Sequence, residues 1–195
     1  MSKHITNVCN SAFFYLHNIK SIMKYLHEDS LHTLVHAFVT NRLDYCNSLL
    51  HGASKEQIAK VQRVQNAAAR LLMNVGKHSH ITPILYELHW LPIQARIKFK
   101  IILFVFKAVH NLAPSYINSL LTIKSKSSYG LRSNDGLYLE PAKGKMLKTF
   151  GARSFQAAAP YLWNRLPHEI RLIESLHKFK KAIKTFLFNE AFSNH

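Results

Sequence analysis

Asp44, Tyr45 and Cys46 stand side by side in RLDYCNSLL (42–50), in a chain of 195 residues with only ten Asp and Glu. A carboxylate next to a phenol and a thiol could act as a general base beside a nucleophile. Each such chemistry needs a further partner: a histidine for a cysteine nucleophile, a second carboxylate for acid–base or two-metal work. The adjacent acids Glu28 and Asp29 fall where a helix is expected to begin, and negative charge there favours the helix dipole over catalysis. Asp44 is expected to pair with Arg42 or to start a short helix through Leu49 and Leu50. Cys46 reads as a small buried hydrophobe.

Thirteen histidines raise the question of a metal. His32 and His36 in HTLVH have the i, i+4 spacing of a zincin helix, but Thr33 stands where the catalytic glutamate belongs. HSH (78–80) and His89 are separated by ITPILYEL, a helical pattern that spaces ligands poorly. The chain has no Gly-x-Ser-x-Gly elbow, no phosphate-cradling glycine loop and no Cys-x-x-Cys; its cysteines are Cys9 and Cys46. No catalytic residue, metal, cofactor or small-molecule substrate is therefore expected. Trp90 and Trp163, each just before a Leu-Pro or Arg-Leu-Pro turn, read as core plugs. Tyr116, Tyr129 and Tyr138 read as better stacking candidates.

The elements that would position these residues are helices. ITNVCNSAFFYLHNIKSIMKYL (5–26) has helical apolar spacing, and Asp29 or Ser30 is expected to cap a second helix through LHTLVHAFVTNRL. Ser54 and Gln57 form a capping box ahead of a helix stopped near Gly76. Its apolar face is Ile58, Val61, Val64, Ala68, Leu71, Leu72 and Val75; Lys55, Gln62, Arg63, Asn66, Arg70 and Asn74 lie opposite. Thr82 with Pro83, then Pro92, open the next two helices. The second of these is apolar nearly all round and should be central, with a narrow stripe of Arg96, Lys100 and Lys107. Pro114 starts a short helix through 121. TIKSKSSYGLRSNDG (122–136) reads as a linker and LYLEPAKGKMLKTF (137–150) as a short hairpin around Ala142-Lys143-Gly144. Two helices come after it, the last capped by Ser175, with Leu176, Phe179, Ile183, Phe186 and Leu187 inward and Lys180, Lys181 and Lys184 outward. The expected organisation is mainly α: a helical bundle over 1–121, a linker over 122–136, and a small α+β region with a short hairpin over 137–195.

The charge balance narrows the function. Lys and Arg number 26 against ten acids, a net +16. The excess recurs along the chain, at +4 over 54–77, +5 over 124–153 and +4 over 165–184. A cationic surface of this kind expects an anionic partner, nucleic acid before membrane. The longest apolar run, IILFVF (101–106), falls far short of the ~20 residues a membrane span needs. No cleavable leader is evident in the first twenty residues, so an intracellular setting, nuclear or cytoplasmic, is expected.

RLDYCNSLLHG (42–52), VQRVQNAAARLL (61–72), HITPILYELHWLPIQARIKFKI (80–101) and LAPSYI (112–117) occur in this order. LRS (131–133), KTFGARSFQAAAPYLWNRLP (148–167) and FKKAIKTFLF (179–188) continue the series. It resembles the C-terminal part of jockey-like non-LTR retrotransposon (LINE) polyproteins, the region after the reverse-transcriptase palm, and the resemblance covers essentially the whole chain. It implies an RNA-directed DNA polymerase whose fingers and palm, with their metal-binding aspartates, and whose apurinic-type endonuclease lie outside this stretch. It implies that residues 1 to about 75 are thumb-like helices gripping the primer–template, and that the rest belongs to a C-terminal region that binds RNA. No position here matches the catalytic motif, so the resemblance carries over no catalytic residue, and the chain is not expected to be an enzyme on its own.

Nucleic-acid contacts are therefore expected at Lys55, Arg63 and Arg70 on the capped helix. Further contacts are expected at Lys124, Lys126, Arg132, Lys143, Lys145 and Lys148 after it. The partners implied are RNA or an RNA/DNA primer–template, and the ribonucleoprotein of the parent element. Two other readings stay open: an inert relic of a truncated element, and a basic helical module for protein or membrane contact led by the 175–188 helix.

Overall fold

The structure, a computed structural model, describes residues 2–124, 137–141 and 154–193. The chain is mainly α-helical. In order run α1 (Ser2–Ile22), α2 (Glu28–Val35), α3 (Asn41–Asp44), α4 (Lys55–Leu72) and α5 (Ile81–Glu87). Then come α6 (Ile93–Val109), α7 (Ser115–Asn118), α8 (Phe155–Asn164), α9 (His168–Arg171) and α10 (Leu176–Phe192). The one β feature among the described residues is an isolated antiparallel bridge between Ile123 and Leu139. The hairpin expected around Ala142-Lys143-Gly144, and residues 125–136 of the expected linker, lie outside the described residues. No described helix is long and apolar enough to cross a membrane.

The chain divides into two compact units, Met1–Arg96 with Phe188–His195, and Ile97–Leu187. In the first, α1 packs along α4. α1 buries Ile5, Cys9, Ala12, Leu16 and Ile19, a stripe at spacings of three and four, while α4 buries Val61, Val64, Ala68 and Leu72. A fully buried aliphatic side chain contributes about 1.5–3 kcal/mol and a cap about 1 kcal/mol, so these two stripes, more than the helix ends, hold the pair together. A second cluster gathers Ala69, Ile84, Leu85 and Phe192, with Met73, Trp90 and Phe188 against it.

The helix ends show where the sequence pattern holds and where packing shifts it. The Ser54 capping box forms as expected, the Gln57 N–H donating to Ser54 Oγ and the Ser54 N–H to Gln57 Oε1. The N-cap of α2 is His27, two residues before Asp29 and three before Ser30, the expected caps, and Glu28 and Asp29 lie in the first turn without capping. α5 likewise begins at Ile81, with Thr82 and Pro83 already inside it. The left-handed residue that terminates α4, just past its C-cap Met73, is Asn74 rather than Gly76. Asn74 has φ 49°, the Val75 N–H bonds Arg70 O and the Asn74 N–H bonds Leu71 O. Paired six-to-one and five-to-two bonds around a left-handed residue satisfy the last carbonyls, and Asn tolerates that conformation. His89 and Asn111, at φ 52° and 55°, end α5 and α6 with the same two bonds.

Between α2 and α3 the chain stays helical but widens: the Asn41 N–H bonds His36 O, five residues back. This π-turn over His36–Thr40 adds a residue to the turn and rotates the chain beyond it. Val39, Thr40 and Leu43 turn inward, and Phe38 turns out to 40% exposure.

In the second unit, α6 buries Ile101, Ile102, Val105 and Phe106. Phe106 stacks on Phe179 of α10 at 4.2 Å, and Trp163 of α8 sits 5.8 Å from the same ring. Trp163 is 0% exposed and donates its indole N–H to Leu137 O at 2.7 Å, so it is the expected core plug. α10 buries Phe179, Ile183 and Leu187 while Lys180, Lys181 and Lys184 stay exposed, as its pattern predicts. Residues 137–140 are held on both edges. Lys124 N–H bonds Tyr138 O and Glu140 N–H bonds Thr122 O on one side. On the other, the Asn164 side chain accepts from Leu139 N–H and donates to Leu139 O, doing with one amide what a neighbouring strand would do.

Candidate nucleic-acid interface

Asp44, Tyr45 and Cys46 do not assemble a site. Asp44 Oδ2 accepts from Arg96 Nη1 at 2.7 Å and Oδ1 from Asn47 Nδ2 at 3.2 Å, so its partner is Arg96 and not the neighbouring Arg42. Arg42 reaches Tyr15 instead. Cys46 is exposed and left-handed at φ 52°, correcting the expectation of a buried side chain; the turn into residues 47–50 needs a residue that leaves the helix there. Cys9 is the buried thiol, pushed up by burial, with the charges of Arg63 and Lys60 opposing that rise. Among the described residues no three His, Cys, Asp or Glu side chains gather where they could hold a metal.

Of the cations expected at the interface, Lys55 and Arg63 are exposed on α4, with no hydrogen bond or ion pair to a described residue. Lys60, exposed between them, belongs to the same surface and follows from the same helical spacing. Arg70 is half-buried, and two of its five donors are spent: Nε and Nη2 bond Ser79 O at 3.2 and 3.0 Å, fastening the loop after α4. Gln62 and Asn66 turn inward from the face expected to be outward. Gln62 Nε2 donates to Asn66 Oδ1 and Gln65 Oε1 at 2.8 Å, and its own Oε1 takes the Ile93 N–H. Lys124 is exposed. Lys126, Arg132, Lys143, Lys145 and Lys148 lie outside the described residues, as does Tyr129.

Of the expected stacking tyrosines, Tyr116 is 68% exposed. Tyr138 is not open on both faces, because the buried Arg171 guanidinium lies 3.9 Å over its ring. Arg171 also donates Nε to Leu166 O, so it is a structural cation rather than a phosphate contact.

The aromatic surface that sequence reasoning missed lies on α1 and the π-turn. Tyr15 and Phe38 stack with centroids 5.2 Å apart at 21°. Arg42 caps the pair: its guanidinium carbon lies 4.5 Å over the Tyr15 ring and Nη2 donates to Tyr15 Oη at 3.2 Å. Phe14, 61% exposed, meets Tyr15 edge-on at 5.5 Å. Phe38 shares its apolar stretch with core residues, and only the π-turn brings it out, so alternation alone could not reveal it. Arg165 and exposed Tyr161 in the second unit form another cation–ring pair, joined by a hydrogen bond between Nη1 and Oη.

Flat π faces topped by guanidinium, on a surface with few carboxylates, can stack unpaired bases and neutralise phosphates. No family model matches the chain, and neither a curated protein nor a solved structure is significantly similar to it.

Proposed function

We propose that this chain is a non-catalytic, nucleic-acid-binding part of a jockey-like retrotransposon reverse transcriptase, holding RNA or an RNA/DNA primer–template by its backbone. The thumb-like role of the first helices and the family itself rest on the ordered sequence segments from RLDYCNSLLHG to FKKAIKTFLF. The observation that carries the binding reading is the uncompensated charge. The unit Ile97–Leu187 holds sixteen Lys and Arg against four acids, +12, and the other unit ten against six, +4. Within the first of these, Lys178, Lys180, Lys181 and Lys184 stand exposed on α10. Such a surface releases counterions when it meets phosphates, which favours association without reading sequence.

The test is binding of labelled single-stranded RNA and of an RNA/DNA duplex across a salt series. With about five phosphates neutralised, affinity should fall roughly 100-fold or more between about 50 and 200 mM salt. Weak binding with a flat salt dependence would reject the reading. Primer extension by the purified chain would reject its non-catalytic part.

A further inference from the structure

α1 carries a second feature on the side opposite Tyr15. A groove of about 710 Å3 runs between α1, the C-terminal half of α4 and the turn after it. Its lining is aliphatic, with Leu16, Met23, Ala67 and Leu71 along it and Phe13 and Val75 part-exposed at its sides. Four bases border it, His17, Lys20, Arg70 and Lys77, and no acid does. His17, Lys20 and Lys77 form no hydrogen bond or ion pair with a described residue, whereas Arg70 is fixed in place by Ser79 O.

Three occupants carry negative charge: nucleic acid, an anionic membrane, and an acidic protein segment. Beside the Phe13 ring and the His17 imidazole the groove offers a row of aliphatic side chains, so most of it lacks the flat faces that bases stack on. A membrane presents a broad plane, which inserts convex apolar residues and does not fill a concave groove. An amphipathic helix fits both halves of the chemistry. Its apolar side chains at i, i+3, i+4 and i+7 reach an aliphatic floor that the flexible Met23 can adapt, and its acidic flanks meet the basic rim.

We infer that the groove between α1 and α4 docks an acidic amphipathic helix of a protein partner, its carboxylates on Lys20, Lys77 and His17. Of the cations expected to meet nucleic acid only Arg70, already bonded to Ser79 O, borders the groove, and K20E/K77E and Gly76→Glu leave it in place, so either surface can fail alone.

The probe is a fluorescein-labelled peptide of about five helical turns, leucines along one face and glutamates elsewhere. Its control has the same composition with the leucines spread around the helix. Anisotropy titrations against the full chain should show the amphipathic peptide binding about tenfold tighter than the control. Charge reversal by K20E/K77E should weaken it by about tenfold. Gly76→Glu should do the same while leaving the fold intact, since a Cβ at Gly76 meets nothing within 4 Å and its backbone is not left-handed. An oligo-thymidine strand that binds without displacing the peptide supports the assignment. It is overturned if both peptides bind alike, if neither binds, or if thermally stable variants bind as the parent does. Displacement of the peptide by oligo-thymidine or by phosphatidylserine vesicles, with the same loss in the variants, also overturns it.

Discussion

Asp44 and Arg96, 52 positions apart in sequence, meet through a 2.7 Å charge-assisted hydrogen bond that ties α3 to the first turn of α6. Arg96 uses its remaining reach on the same corner, donating Nε to Leu91 O and lying 5.8 Å over the Trp90 ring. The arginine is the more deeply buried partner, at 16% side-chain exposure against 39% for the aspartate. Removing Asp44 therefore strands a largely buried cation, whereas removing Arg96 returns a carboxylate largely to water.

Asp44→Ala should lower stability by about 1–2 kcal/mol, between the range for exposed pairs and that for buried charged hydrogen bonds. A double-mutant cycle with Arg96→Met should show coupling of about 1 kcal/mol in urea melts. Nucleic-acid affinity should stay within about twofold, because neither group belongs to the proposed contact surface. Additive losses in the cycle, or a large affinity loss in a folded Asp44→Ala chain, would contradict this structural role.

In the second unit, Asn164 stands in for a strand against Leu139. Asn164→Ala leaves both the N–H and the C=O of a buried residue without that partner, at a cost of about 1–3 kcal/mol. Asn164→Asp keeps the acceptor for the Leu139 N–H but turns the donor to Leu139 O into a second acceptor, which faces that carbonyl repulsively. Thermal melts should place both variants well below the parent. A variant melting with the parent would mean that water replaces the amide.

Helix content and much of the buried faces were legible because hydrophobic period is local, whereas the ends of α2, α4 and α5 shifted with packing. The Ser54–Gln57 box, the apolar ring of α6 and the inward Phe179, Ile183 and Leu187 of α10 all depend on neighbours within two turns. The illegible features depend on distant packing. Asp44 selects Arg96 over the adjacent Arg42 because tertiary structure delivers it, and Cys46 is exposed because the chain must reverse there. Gln65, 1% exposed in the middle of α4, looks like a surface amide in sequence, yet it donates to Leu91 O across 26 positions. The Tyr15–Phe38 pair was hidden for the same reason: it depends on one additional residue in a helical turn.

His51 supplies a pH dependence with a definite sign. Half-buried after the turn at 47–50, its imidazole is held below its ordinary value by desolvation. Below about pH 6.5 the unfolded chain takes up this proton more readily than the folded one, so the group destabilises the fold as pH falls through that value. Above it, both states are neutral and the contribution vanishes. The stability difference between the parent and His51→Gln in chemical melts should therefore be constant near pH 8 and above, while the variant should lose less stability on acidification to pH about 5.5. Parallel losses in the two chains would remove His51 from the acid response.

The stacked surface separates single strands from duplexes. Bases in a duplex are already stacked, so Tyr15, Phe38 and Arg42 can add aromatic contact only to an unpaired base, and such a contact contributes about 1–3 kcal/mol. Phe38→Ala removes the ring that stands 40% exposed and leaves the buried residues of the π-turn, Val39 and Thr40, in place. Single-strand affinity should fall by about 5- to 150-fold, with duplex affinity within about twofold. Lys55→Ala with Arg63→Ala should instead weaken both ligands and make the salt dependence shallower, since each lost phosphate contact lowers the slope by about one. Titrations of the two variants against both ligands at two salt concentrations distinguish these roles. Equal losses on duplex and single strand in Phe38→Ala would reduce the aromatic pair to packing between α1 and the π-turn.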